Sequence, residues 1–282
     1  MKKNIFPALI FVCISMQAIN LTAQSCCSKP QSTQAFAMLT HDDKFVAAHL
    51  DPVPFNFTPE SGKMVKFETK DGKAANAFLV PAQQESKKYL IVIHEWWGLN
   101  DYIKKQCEAY AKDFPNMNIL ALDLYDGAVA KNKDEASKFM GEAKEERVRA
   151  IITGMQAYLG NEAQCMTIGW CFGGGWSMQT AMMLDKQCKG CIIYYGMPEK
   201  DKEKLMTINF PILGIFAQKD QWITPEIYNN FRDAMKINSK QIEIVEFDAD
   251  HAFANPSNPQ FNQEFTTKAN DAVYNFIKTF FE

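Results

Sequence analysis

The chain has 282 residues, 47% of them hydrophobic, with 21 Phe and 5 Trp available to fill an interior. That is enough for one large α/β domain with its own core, and it excludes an intrinsically disordered chain. With 30 basic against 33 acidic residues there is neither a basic field for nucleic acid nor an acidic tail, so no nucleic-acid partner is expected.

Residues 1–23 read as a secretory signal peptide. Met1-Lys2-Lys3 is a positive start, Ile5 to Ile19 is an apolar run, and Leu21-Thr22-Ala23 offers a cleavage site. The run is shorter than the ~20 residues that span a bilayer. An exported protein, periplasmic or secreted, is therefore expected, with no stable membrane span after cleavage. Lipidation at Cys26 is the less favoured alternative, because Ala23-Gln24-Ser25 matches a lipoprotein box poorly.

Residues 24–62 read as a leader segment, with Pro30, Pro52, Pro54 and Pro59 and no sustained periodicity. Export bears on the eight cysteines, since an oxidising compartment permits disulfides. Cys13 lies in the signal, and the other seven are an odd number, so at least one stays free or pairs with another chain. Cys188-Lys-Gly-Cys191 has C-x-x-C spacing, but Cys191 also opens an apolar run and no nearby histidine completes a zinc site.

The main folded domain spans residues 63–282. Val65–Thr69 alternates as a strand, Asp71-Gly72 makes a turn, and Ala74–Val80 reads as the paired strand. Six apolar runs of parallel-strand type follow: Tyr89–His94, Asn118–Leu124, Cys165–Trp170, Cys191–Tyr195, Ile212–Ala217 and Ile242–Phe247. Helical periodicity lies between and after them, over Tyr102–Phe114, Lys133–Leu159, Trp176–Asp185, Pro225–Lys236 and Gln263–Phe281. The alternation predicts an α/β fold: a mostly parallel sheet flanked by helices on both faces, entered through an antiparallel hairpin.

The most informative segment is Thr167-Ile-Gly-Trp-Cys-Phe-Gly-Gly-Gly175, where a strand ends, a Cys sits between glycines and a helix begins. This is a nucleophile elbow with Cys171 in place of serine. A tight strand-to-helix turn would bring side chains two positions to either side into collision, which Gly169 and Gly173 avoid. The helix N-terminus favours a thiolate. His251 is the only histidine after Cys171 and lies just past the last predicted strand. Asp220 follows the strand Ile212–Ala217, so all three groups fall at the carboxyl end of the sheet in the order nucleophile, acid, base. Taken singly, Cys171 is also readable as a buried thiol, Asp220 as a helix cap and His251 as a surface loop residue.

From about Met64 to the end the chain resembles the dienelactone hydrolase family. The matching pieces are His94-Glu-Trp-Trp-Gly-Leu-Asn100, Leu122-Asp-Leu-Tyr125, Gly169-Trp-Cys-Phe-Gly-Gly174, Tyr194-Tyr-Gly196, Lys219-Asp220 and Asp250-His-Ala-Phe253. The resemblance implies a Cys171–His251–Asp220 triad that hydrolyses a small ester or lactone without metal or organic cofactor. It also implies that the Glu95 carboxylate interacts with the thiol, and that the backbone N–H groups of Trp96 and Phe172 form the oxyanion hole.

Two arginines that hold a substrate carboxylate in the family's founding enzymes are replaced here by Gly127 and Asn255, with Lys131 or Lys133 as candidate substitutes. Trp97, Tyr125, Trp222 and Phe253, beside Trp96, suggest an aromatic-walled substrate pocket, with core packing as the other reading. A monomer is expected. The competing functional class is a non-catalytic or redox and metal-handling thiol protein built on Cys26/Cys27 or Cys188/Cys191.

Overall fold

The computed structural model describes Met1 and residues 31–281, so the signal-peptide reading and Cys26-Cys27 lie outside the described residues. The centre of the fold is an eight-stranded sheet: β1 (Lys63–Glu68), β2 (Ala74–Val80), β3 (Lys88–Ile93), β4 (Asn118–Leu122), β5 (Gln164–Trp170), β6 (Cys188–Tyr194), β7 (Ile212–Ala217) and β8 (Ile242–Phe247). Its order is β1-β2-β4-β3-β5-β6-β7-β8. The β1–β2 and β2–β4 pairs are antiparallel and all the others parallel.

Strands β3, β5, β6 and β7 are apolar and buried along almost their whole length, as strands covered on both faces must be. The chain leaves β3 to build β4 on one side and later β5 on the other. This reversal opens a crevice at the carboxyl ends of β3 and β5, where α/β sheets hold ligands.

Helices α3 (Asp101–Asp113), α4 (Lys133–Glu142), α5 (Glu145–Leu159), α6 (Phe172–Leu184), α7 (Lys202–Thr207), α8 (Pro225–Ile237) and α9 (Gln263–Phe280) connect and cover the strands. The long helix predicted over 133–159 is two helices. Ala143 and Lys144 adopt extended ψ of 88° and 131°, and Glu145-Glu146 restart the next helix at its electropositive end. Helix α7 was not predicted, although Asp201 accepts from the N–H groups of Glu203 and Lys204 as an N-cap should.

Regular structure also forms in the segment where none was expected. Helix α1 (Ser32–Ala37), a 3-10 turn (Met38–His41) and α2 (Asp43–Ala48) pack on the domain and bury Phe36 and Phe45. Further along, Glu108 of α3 accepts the N–H groups of Glu60, Ser61 and Gly62 and pins the approach to β1. Among the described residues no helix is long and apolar enough to cross a membrane.

The described cysteines (107, 165, 171, 188 and 191) are all free and buried. Cys188 and Cys191 both lie on β6, which is irregular between them: Cys188 pairs with Cys165 and Cys191 with Thr167 of β5. The Cys191 thiol lies 3.6 Å from Ser177 Oγ.

Candidate active site

Cys171 sits between the end of β5 and the start of α6 with φ 55° and ψ −118°. A non-glycine residue held in this region stores ~1–3 kcal/mol of strain, which the surroundings must enforce. Its N–H donates to the Tyr194 carbonyl at 3.0 Å, and its carbonyl accepts from Gly174 N–H at 3.0 Å. The turn closes only without side chains at two points. A Cβ on Gly169 would stand 2.1 Å from the Gly173 carbonyl oxygen, and one on Gly173 would stand 2.2 Å from that of His94.

The loops after β7 and β8 bring the other two groups to the same edge. Asp220 Oδ1 accepts from the N–H groups of Trp222 and Ile223, both at 2.9 Å, which fixes the carboxylate within its own turn. Asp220 Oδ2 lies 2.5 Å from His251 Nδ1, and His251 Nε2 lies 3.4 Å from Cys171 Sγ. A carboxylate only accepts, so Nδ1 carries the proton and Nε2 faces the sulfur.

All three groups are buried. Burial pushes the Cys171 thiol above its ordinary value, while the neighbouring His251 pulls the other way. For His251, burial opposes protonation, but the negative charges of Asp220 and Cys171 outweigh it and hold its pKa well above 6.5. Burial likewise opposes ionisation of Asp220, yet His251 and the two N–H donors keep it below the usual carboxylate range.

The loop after β3 supplies His94, Glu95 and Trp96. Leu124 N–H donates to His94 Nε2 at 3.1 Å, so His94 Nδ1 carries the proton and donates to the Glu95 carbonyl at 2.6 Å. This ring therefore ties the β3 loop to the β4 loop. The Glu95 carboxylate accepts from Tyr195 Oη at 3.2 Å and from Asn255 Nδ2. These two are its hydrogen-bond partners; the thiol is not among them. Burial raises the Glu95 pKa to about 7.

Phe172 opens α6, so its N–H has no partner within the helix and favours charge on the Cys171 sulfur. Trp96 is fully buried in the facing loop.

The aromatic residues expected to wall one pocket do not gather around one. Trp97 lines a cavity of about 210 Å³ with Glu95, Tyr102, Trp170 and Asn255. Trp222 lines another, of about 310 Å³, with His49 and His251. Tyr125 lines a third beside Arg147 and packs 5.5 Å from the Phe172 ring. Phe253 packs against Phe247 and Tyr195 in the core. Lys131 and Lys133 line none of the three.

The sequence reading missed three contributors. Tyr195 and Asn255 hold Glu95, and both lay inside or beside the motifs already singled out. The third, His49, ends α2, and its ring centroid lies 4.3 Å from that of Trp96 and 5.3 Å from that of His251. Being one of only four histidines was its sole signal.

The fold and the carboxyl-end cluster define an α/β-hydrolase. The family model for the dienelactone hydrolase family matches residues 75–281, and the chain belongs to that family. A carboxymethylenebutenolidase of Pseudomonas sp. (strain P51) is 30% identical over 127 residues, 43% of this chain and 52% of its own. Carboxymethylenebutenolidase 1 of Cupriavidus pinatubonensis is 23% identical over 224 residues, covering 73% and 92%. Among solved structures, the dienelactone hydrolase-like promiscuous phosphotriesterase P91 from metagenomic libraries superposes with a TM-score of 0.66 at 16% identity, over 79% of this chain and 100% of that one. The protein is thus a hydrolase acting on esters or lactones.

Proposed function

We propose that the chain cleaves a carboxylic ester or lactone with Cys171 as nucleophile, His251 as base and acid, and Asp220 as orienting carboxylate. The observation that carries this reading is the unbroken line from Asp220 Oδ2 through His251 Nδ1 and Nε2 to Cys171 Sγ, at 2.5 and 3.4 Å. His251 takes the thiol proton as sulfur attacks the carbonyl carbon. The N–H groups of Phe172 and Trp96 receive the oxyanion. Collapse expels the alkoxide, which takes the proton back from His251 and leaves a thioester. His251 then draws a proton from water, which hydrolyses the thioester and restores the thiol. The negative charge of Asp220 stabilises the imidazolium in both half-reactions.

Glu95 acts beside the nucleophile. Its charge, when present, raises the thiol pKa together with burial, against the lowering by His251. Export rests on the residues 1–23 pattern and is part of the same reading.

Turnover of an activated short ester is the test. Cys171→Ala, His251→Ala and Asp220→Asn should each lower kcat/KM by up to ~10⁴-fold. Normal turnover in Cys171→Ala would refute the assignment.

A further inference from the structure

His49 takes no part in the proposed hydrolytic cycle, yet it is buried against the reacting atoms. Helix α2 delivers it over the elbow, where Phe45 packs 5.7 Å from Trp96 and 5.2 Å from Trp222. Its Nδ1 lies 2.7 Å from the Phe45 carbonyl oxygen, which can only accept, so Nδ1 carries the proton. Its Nε2 is a bare lone pair. That atom is buried and has no hydrogen-bond partner, a deficit that costs ~1–3 kcal/mol unless something fills it. One donor atom each from His49, Cys171 and His251 lies within 4.8 Å of the other two.

We propose that His49 Nε2, His251 Nε2 and Cys171 Sγ form a site for a zinc-class divalent ion that masks the nucleophile. Three features beyond proximity point there. First, both imidazoles have their far nitrogen held by an acceptor, His49 by a backbone carbonyl and His251 by Asp220. Such outer partners fix the tautomer and ring orientation of histidine ligands. Second, the His251–Cys171 separation of 3.4 Å is close to the ~3.6 Å nitrogen–sulfur edge of a tetrahedron built from zinc bond lengths. The third ligand, His49, caps the C-terminus of the short helix α2. Third, one thiolate and two imidazoles are a soft to borderline set that selects zinc or its neighbours over magnesium or calcium.

The charges also balance. Binding releases one proton, from the Cys171 thiol, to solvent. The thiolate and the Asp220 carboxylate behind His251 then neutralise the 2+ ion, with no change in oxidation state. Three protein ligands leave the fourth position to water. Bound metal would hold α2 against the elbow and take the sulfur lone pair that attacks substrate. Metal binding and ester turnover should therefore exclude each other.

The test is titration of metal-free full-length protein with Co²⁺, followed by thiolate-to-cobalt charge-transfer absorption, with ester turnover and melting temperature measured on the same samples. The expected result is a thiolate–cobalt band that saturates as turnover is lost. Cys171→Ser should bind one equivalent fewer and lose that band. His49→Gln should bind at least about tenfold more weakly, while its metal-free melting temperature shows that it is folded. A Cys171→Ser variant that binds as much cobalt as wild type, or a folded His49→Gln that binds as tightly, overturns the proposal. The outcome is separable from the hydrolase reading. Cobalt bound through Cys171 in a protein that turns over no ester would sink the thioester mechanism and leave the metal site standing; ester turnover indifferent to cobalt would do the reverse.

Discussion

At the scale of single residues, Glu95 concentrates the most physical consequence. Its pKa is raised from 4.5 to about 7, mainly by burial. A carboxyl whose folded pKa lies above its unfolded one contributes stability that is fully present below about 4.5 and lost as pH rises to about 7. The interval is 2.5 units, or about 3 kcal/mol. In Glu95→Gln that loss is absent, so its stability relative to wild type should rise by up to about 3 kcal/mol between pH 4.5 and 8. Urea unfolding at the two pH values checks this, and parallel profiles for the two proteins would contradict it. Asn255 bears on substrate charge. It stands where the family's founding enzymes have an arginine, and its amide is engaged with Glu95. No strong preference for substrates with a free carboxylate is expected. A kcat/KM ratio above ~100-fold for an acid over its neutral analogue, about 2.7 kcal/mol, would show another cation in that role.

At the scale of elements, the strands were legible and the entry segment was not. Runs such as Ile212–Ala217 are apolar throughout because both faces of the sheet are covered, and composition alone reveals them. Helices α1 and α2 have six residues each, too few to display a period, and their hold on the domain is tertiary. Phe45 is the residue that provides it, packed among Phe36, His49, Trp96 and Trp222. Phe45→Ala should cost ~3–5 kcal/mol if the site cannot collapse. Because α2 covers the nucleophile, the same change should speed iodoacetamide modification of Cys171. Unaltered alkylation would mean that the sulfur is reached by a route α2 does not guard.

At the scale of the whole molecule, buried histidines should set the acid limb of stability. Burial holds His49 neutral, with a pKa lowered to about 3, and His94 at about 4. Each folded pKa lies below the ordinary 6.5, so each contributes stability present above 6.5 and lost as pH falls toward the folded value. Between pH 4.5 and 6.5 two such histidines oppose the single Glu95, and stability should rise across that window. Urea midpoints that fall steadily from pH 4.5 to 6.5 would contradict this balance. The same view explains what of the site could be read in advance. The order Cys171, Asp220, His251 is written along the chain because each group ends or follows a strand. The grip of Tyr195 and Asn255 on Glu95, and the approach of His49, join loops far apart in sequence. Only the folded sheet brings those partners together.

The central claim is that Cys171 carries the acyl group during turnover. The most direct measurement is acid quenching of the enzyme while it hydrolyses an activated ester, followed by mass analysis of the peptide that contains Cys171. The expected result is a mass increase equal to the acyl group on that peptide, sensitive to hydroxylamine as a thioester is, with no turnover in Cys171→Ala. Steady turnover with no acylated Cys171 peptide, and undiminished activity in Cys171→Ala, would contradict it.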